Sequence, residues 1–365
     1  MRIFTLIVSI LNVNNSMKLI QKNNLIKTLS LVFIIFAIIF LNIYPTINAK
    51  INTPKDKIFS GQASWFDPWD INLYVSVIRS GQSNGIFLQN SYTTIPNKPI
   101  LMYPLYTLLG TIFKTTNAFL LFHINAVFFG IILAIGIFYL SRFFLKDFSD
   151  RIFSLIGICL GGGLGFLLYP RLQSADLTMT SFTFLSAFQR PHEAVGLLTH
   201  ISSLVLFYNL SATQTTKNTK LLISGIALLL ISLIFYPYYI LSFTLISGIF
   251  LFIKNKGVLK MSLYTILLPF LIPSFFLVLF LYKQISQNQT FSGVLSQNLP
   301  TPNLLLILFG YGALIPLFIY LLLFVKKNQE IIFLITWIVI SIFLTYLPFG
   351  FSRFFLRGLF FPLVI

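Results

Sequence analysis

The chain has 365 residues, of which 57% are hydrophobic and only 9% charged, with a net charge of +17. Its length allows two or three soluble domains, but so few charges cannot cover a water-exposed surface, where about 25% is usual. A soluble fold, a disordered chain and a disulfide scaffold are therefore excluded (Cys159 is the single cysteine), and the composition is that of an all-α polytopic membrane protein.

The basic excess flanks apolar runs, as it does where a membrane protein sets its topology and meets anionic lipid, so no nucleic-acid partner is expected. Residues 1–28 read as a cytoplasmic N-terminus and 29–48 as the first span. Residues 49–117 read as the first extracytoplasmic loop, and 118–365 as a multi-span region. Its runs are 118–140, 152–169, 192–211, 221–236, 237–253, 261–282, 303–325 and 331–348. This makes about nine full spans of about 20 residues. A tenth begins near Gly358 and is cut off at Ile365, from which a truncated chain is expected. Lys18, Lys22, Lys27, Arg142, Lys146, Arg151, Lys217, Lys220, Lys254, Lys256, Lys260, Lys326 and Lys327 fall on one side under this count, which makes that side cytoplasmic. Tyr236-Pro237-Tyr238 splits a run too long for one bilayer into two spans with a tight turn, and its tyrosines read first as an interfacial aromatic belt.

The long loop carries Ser64-Trp65-Phe66-Asp67-Pro68-Trp69-Asp70-Ile71-Asn72-Leu73-Tyr74. Ile71, Tyr74, Val75 and Ile78 share one helical face, which predicts a short amphipathic helix from Pro68 to Gly81 lying on the outer membrane surface. Trp65, Trp69 and Tyr74 suit that interface. A second short helix is predicted from Pro104 to Lys114. Asp67 before Pro68 reads first as an N-cap, with Asp70 in the carboxylate slot of a capping box. Capping is compatible with catalysis, because a carboxylate pinned at a helix start can also act as a base or bind a cation.

The chain has eight Asp and Glu in all, so each can be placed. Asp56, Asp67, Asp70, Asp176 and Glu193 fall on the outer side and supply any acid–base chemistry there. The third outer gap runs from Tyr169-Pro170-Arg171-Leu172-Gln173 to Asp176, and is followed by Arg190-Pro191-His192-Glu193. Pro191 and Glu193 suit a helix start, but helix initiation does not explain Arg190 and His192 beside them. Ionisable groups at bilayer depth are functional candidates. His200 and His123 read as packed core histidines. Gly161-Gly162-Gly163-Leu164-Gly165 lacks the Lys-Ser/Thr of a P-loop and reads as a close-packing helix face, and the three histidines lack zinc-site spacing.

These features together resemble the GT-C superfamily of integral membrane glycosyltransferases: one span, a large outer loop with acidic residues and two short surface helices, then many spans. The segments Asp67 to Tyr74, Ile78-Arg79-Ser80-Gly81, Tyr92-Thr93-Thr94, Tyr103-Pro104-Leu105-Tyr106, Arg190-Pro191-His192 and Tyr236-Pro237-Tyr238 are similar to uncharacterised bacterial members. The resemblance implies a GT-C-type helical bundle in the plasma membrane. It also implies inverting transfer of a sugar from a polyprenyl-phosphate donor to an acceptor outside. Under it Asp67 or Asp70 is the base. Arg79, Lys98, Arg171, Arg190 and His192 are phosphate contacts, while Asp176 and Glu193 orient the acceptor or His192. A divalent cation between carboxylates stays open. A lipid-linked sugar flippase or transporter, and a non-catalytic assembly protein of the same fold, are the alternatives.

Overall fold

In the computed structural model the described residues are 2–90, 92–95, 97–168, 171, 174–179, 181–213, 218–256, 261–299 and 301–365. The side chains of 2–24, 213 and 261–264 are outside the description. So are Tyr169, Pro170, Leu172 and Gln173 of the third gap, the topology markers Lys217 and Lys260, and the side chains of Lys18 and Lys22.

The described chain is helical, its sheet pairing reduced to one bridge between Leu88 and Ile100. The elements are α1 (Arg2–Ile51), α2 (Asp70–Asn84), α3 (Pro104–Ile112), α4 (Ala118–Ser141), α5 (Phe148–Leu160), α6 (Ala175–Thr178) and α7 (Pro191–Thr213). They continue as α8 (Thr219–Phe235), α9 (Tyr239–Lys254), α10 (Met261–Ser286), α11 (Leu304–Tyr311), α12 (Leu314–Phe324), α13 (Gln329–Thr345) and α14 (Phe360–Val364), with a 3-10 turn over Ser352–Leu356.

Among the described residues four helical stretches are long and apolar enough to cross a membrane: Leu25–Ile51, Ala118–Ser141, Pro191–Ala212 and Thr265–Ser286. A fifth exists if α11 and α12 count as one broken span, bent by 90° at Gly312, whose φ is 53°. Helices α8, α9 and α13 are apolar but shorter. Four or five of the nine expected spans reach that length and three more appear as these shorter apolar helices, while two of the runs are interrupted for visible local reasons.

Run 152–169 does not continue as a helix, because α5 ends at Leu160 before three glycines. Each glycine there costs about 1 kcal/mol of helix stability. Gly163 instead packs on the backbone of Phe309 and Gly310, and Leu164 N donates to Phe309 O at 2.8 Å. The glycines do allow close packing, but as a turn rather than as a helix face. Run 303–325 bends because Gly312 takes a left-handed conformation between α11 and α12.

Helix α7 is the most buried of the long spans. It packs on α4, α8 and α9, inside a core that includes Leu133, Phe188, Ile201, Phe207, Phe243 and Trp337. A second core joins α2, α3 and α4 through Ile71, Tyr74, Ile78, Tyr106, Leu121 and Phe122. The apolar face of α2 is therefore covered by protein rather than resting on the membrane surface, and Tyr74 is buried. Trp65 and Trp69 remain exposed.

Gly81 does not end α2, which runs on to Asn84. It lets α3 come close, since a Cβ at Gly81 would overlap the Thr107 carbonyl oxygen and one at Gly110 would overlap that of Ile78.

Candidate functional site

The loop entering α2 is pinned from two directions. Trp65 Nε1 donates to Leu41 O of α1 at 2.7 Å, and Trp65 N donates to Gln189 Oε1 at 3.4 Å. The second contact ties the loop to the residue before Arg190. The Phe66 ring lies 5.7 Å from the Arg190 guanidinium. The loop thus delivers Asp67 and Asp70 to the start of α7.

Arg190 Nη2 donates to Asp67 Oδ2 at 3.0 Å and to Asp70 Oδ2 at 2.8 Å. Its Nη1 donates to Glu193 Oε1 at 3.1 Å. Arg357 Nη2 reaches the same Glu193 oxygen at 3.0 Å, and Arg357 Nη1 donates to Tyr238 Oη at 3.0 Å. One connected network therefore joins the loop before α2, the start of α7, the α8–α9 turn and the segment after the 3-10 turn. Its cation is sealed while its outer carboxylates are not: the Arg190 side chain is 7% exposed, Asp67 27% and Asp70 35%.

This geometry corrects the capping expectation. The residue before α2 is Trp69, no side chain caps the helix, and Asp70 is its first residue. Both carboxylates turn to Arg190 instead. A charge-assisted bond to a guanidinium is about twice as strong as a neutral one, so it outcompetes a local backbone cap.

Asp67 also takes a φ of 46°, and Tyr103 a φ of 50°. Each precedes a proline, Pro68 and Pro104, and each lies at this site. A non-glycine residue in this region costs about 1–3 kcal/mol, and such strain gathers where function fixes the backbone. Burial pushes the Asp70 carboxyl above its ordinary 3.8; Arg190 pulls it down, and Asp67 and Glu193 push it up again.

Behind the network lies an aromatic box. Tyr106 Oη bonds His192 Nδ1 at 2.8 Å. The rings of Tyr74 and Tyr103 lie 4.9 Å and 5.6 Å from the His192 ring. His192 is sealed by these rings, so it is a packed and hydrogen-bonded group rather than an open phosphate contact. The Tyr236 and Tyr238 rings do not form an outward belt. The Arg357 guanidinium stacks 4.6 Å over Tyr236, and Tyr238 accepts its hydrogen bond.

The other expected contacts fall elsewhere. Arg79 is exposed and lies nine residues along α2 from Asp70, which is about 13 Å further on and roughly opposite around the helix. Lys98 and Arg171 are exposed, and Lys98 touches Asn288 only through its backbone carbonyl. Asp176 accepts from Gly163 N at 3.0 Å, Gly165 N at 3.2 Å and Ser174 Oγ, so it clamps the glycine turn rather than an acceptor. His200 is buried and stacks 4.0 Å from the Tyr239 ring, in keeping with a core histidine. His123 Nε2 bonds Gly61 O at 2.8 Å and so also holds the loop. Among the described residues no three His, Cys, Asp or Glu side chains converge as a metal site. The charge between Asp67 and Asp70 is that of Arg190.

No protein family, curated protein or solved structure matches this chain. The site therefore stands on its geometry. Sequence reasoning found Asp67, Asp70, Arg190, His192 and Glu193, and missed Arg357 as a site residue. The signal was available: Arg357 is a cation in an apolar tail, a placement costly enough to need a partner. Arg353 was also missed. Its guanidinium packs 5.3 Å from the Phe354 ring and makes no ion pair among the described residues. Burial first, and then Arg357, lowers its pKa from the ordinary arginine value, while Asp67 raises it.

Proposed function

We propose that this chain is a membrane glycosyltransferase of the GT-C kind, moving a sugar from a polyprenyl-phosphate donor to an acceptor hydroxyl on the extracytoplasmic side of the plasma membrane. One observation carries the reading: two partly open carboxylates from the first long loop gather over one sealed guanidinium at the head of the most buried span. Packing alone has no use for such an arrangement. Carboxylates at a membrane-protein surface could have pointed to water, yet these are held in place from behind and remain open in front.

In this reading Asp70 is the base. Burial raises its proton affinity, and its side chain is the more open of the two. The acceptor hydroxyl gives its proton to the Asp70 carboxylate. The oxygen's electron pair forms the new bond to the anomeric carbon, and the bond from that carbon to the phosphate oxygen breaks, its pair leaving with the phosphate. Attack from the face opposite the leaving group inverts the sugar. Asp67 and Arg190 hold Asp70 in register. Arg353, half-buried, without an ion pair among the described residues and within the electrostatic influence of Asp67, is the cation this reading assigns to the phosphate.

The test is sugar transfer from polyprenyl-phosphate sugars by the full chain in lipid, beside lipid flipping in the same vesicles. A transferase loses transfer when the base is changed to its amide. A flippase keeps moving lipid in both Asp67→Asn and Asp70→Asn.

A further inference from the structure

A second site lies between residues 295–299, with Thr301, and the turn from Leu347 to Ser352. It is an open cleft of about 380 Å³, within the range of small-molecule sites. None of its lining side chains is ionisable. It offers the carboxamides of Gln297 and Asn298, both exposed and without a side-chain hydrogen bond among the described residues. The hydroxyls of Thr301 and Ser352 lie 3.1 Å apart on its wall.

The cleft is built rather than incidental. Leu299 N donates to Gly350 O at 2.8 Å, closing its floor. A Cβ at Gly350 would overlap the Gln297 carbonyl oxygen, so this approach of the two segments requires glycine. Phe349 is 39% exposed at the rim and stacks on Phe351, with centroids 5.6 Å and planes 6° apart.

We infer that this cleft binds neutral sugar units of a glycan, and that the glycan is the acceptor. Three features favour a sugar. A carboxamide can donate and accept at once, which matches the paired hydroxyls of a pyranose. An exposed aromatic face offers an apolar surface for the C–H side of a sugar ring. The lack of ionisable side chains argues against an acidic glycan or a phosphate headgroup, either of which would call for a cation.

Position favours the acceptor role. Phe351 stacks on Tyr238 at 5.4 Å, and Tyr238 accepts from Arg357, which pairs with Glu193 of the central network. Ser352 of the cleft directly precedes Arg353. The cleft is thus linked through Phe351, Tyr238 and Arg357 to Glu193, which shares Arg190 with Asp70.

The acceptor role rests on the transferase reading, whereas glycan binding does not. The test is saturation-transfer NMR on the full chain in lipid nanodiscs, with neutral hexose and N-acetylhexosamine oligosaccharides. An acidic oligosaccharide and an uncharged peptide are run in parallel. A neutral oligosaccharide is expected to bind, and the Gln297→Ala/Asn298→Ala double variant to bind it about tenfold more weakly, through two lost hydrogen bonds. The inference is overturned if no neutral oligosaccharide binds, if the double variant binds as tightly as wild type, or if the peptide or the acidic glycan is preferred. Retained sugar binding in a chain whose transfer ignores Asp67 and Asp70 would sink the transferase reading and leave the sugar cleft standing.

Discussion

Arg357 Nη2 donates to Glu193 Oε1 at 3.0 Å, across 164 residues of chain. The same oxygen accepts from Arg190 Nη1, so one buried carboxylate stands between two buried guanidiniums. Removing it leaves two cations facing each other away from water. Glu193→Ala is expected to cost about 3–5 kcal/mol of stability, as losing one partner of a buried pair does. Glu193→Gln keeps an acceptor oxygen and is expected to cost less. Thermal unfolding in detergent reads both, and an unchanged melting temperature in Glu193→Ala would show that the network does not stabilise the fold.

The pH dependence follows from Asp70, whose folded pKa lies above 3.8. Between 3.8 and the raised value the folded chain holds more protons than the unfolded one. The contribution of Asp70 to stability is therefore present below that window and declines as pH rises through it. The proposed transfer would run the opposite way, since a base must be deprotonated, and is expected to rise with pH through the same window. A pH–rate profile whose acid limb stays unchanged in Asp70→Glu or in Asp67→Asn would assign the limb to another group.

Helix α2 holds Asp70 only as well as it holds α3. Its closest approaches are at Gly81 and Gly110, where a methyl group would overlap backbone oxygens. Gly110→Ala is expected to destabilise by about 1–3 kcal/mol, the usual cost of overpacking. It should also slow transfer through displacement of α2. Normal stability and normal transfer together would show that the contact tolerates a methyl group.

Tyr106 and His192 form a buried pair at 2.8 Å. Tyr106→Phe keeps the ring packing and strands the His192 nitrogen, which is expected to cost about 1–3 kcal/mol. If His192 only supports the site, kcat and KM should change little beyond the loss of folded protein. A large rise in KM for the donor at equal folded fraction would return His192 to direct substrate contact.

The sequence made the helical class and most of the central residues legible, because carboxylates are so scarce that their positions speak. Asp67, Asp70 and Glu193 stood out for that reason, and Arg190 and His192 because helix initiation did not account for them. What local rules could not supply was the partner. Asp67-Pro68 carries a capping signal, yet a guanidinium from a residue 123 positions away outcompeted the cap. Arg357 had no local pattern to single it out, because its partner, Glu193, is 164 residues away in sequence. The runs 152–169 and 303–325 read as spans because hydropathy registers apolar content. It does not register the turn at Gly161–Gly163 or the bend at Gly312, where backbone contacts with distant segments decide.

The most direct measurement is sugar transfer by the full chain in lipid, offered polyprenyl-phosphate sugars and neutral glycan acceptors, with Asp70→Asn and Asp67→Asn beside wild type. Both amides can still accept from Arg190, so folding should hold, and unfolding curves verify it. The account predicts that wild type transfers sugar and that Asp70→Asn loses about 10²–10⁴-fold in kcat, the usual share of a general base. Asp67→Asn should lose less. Transfer by Asp70→Asn at the wild-type rate would contradict it.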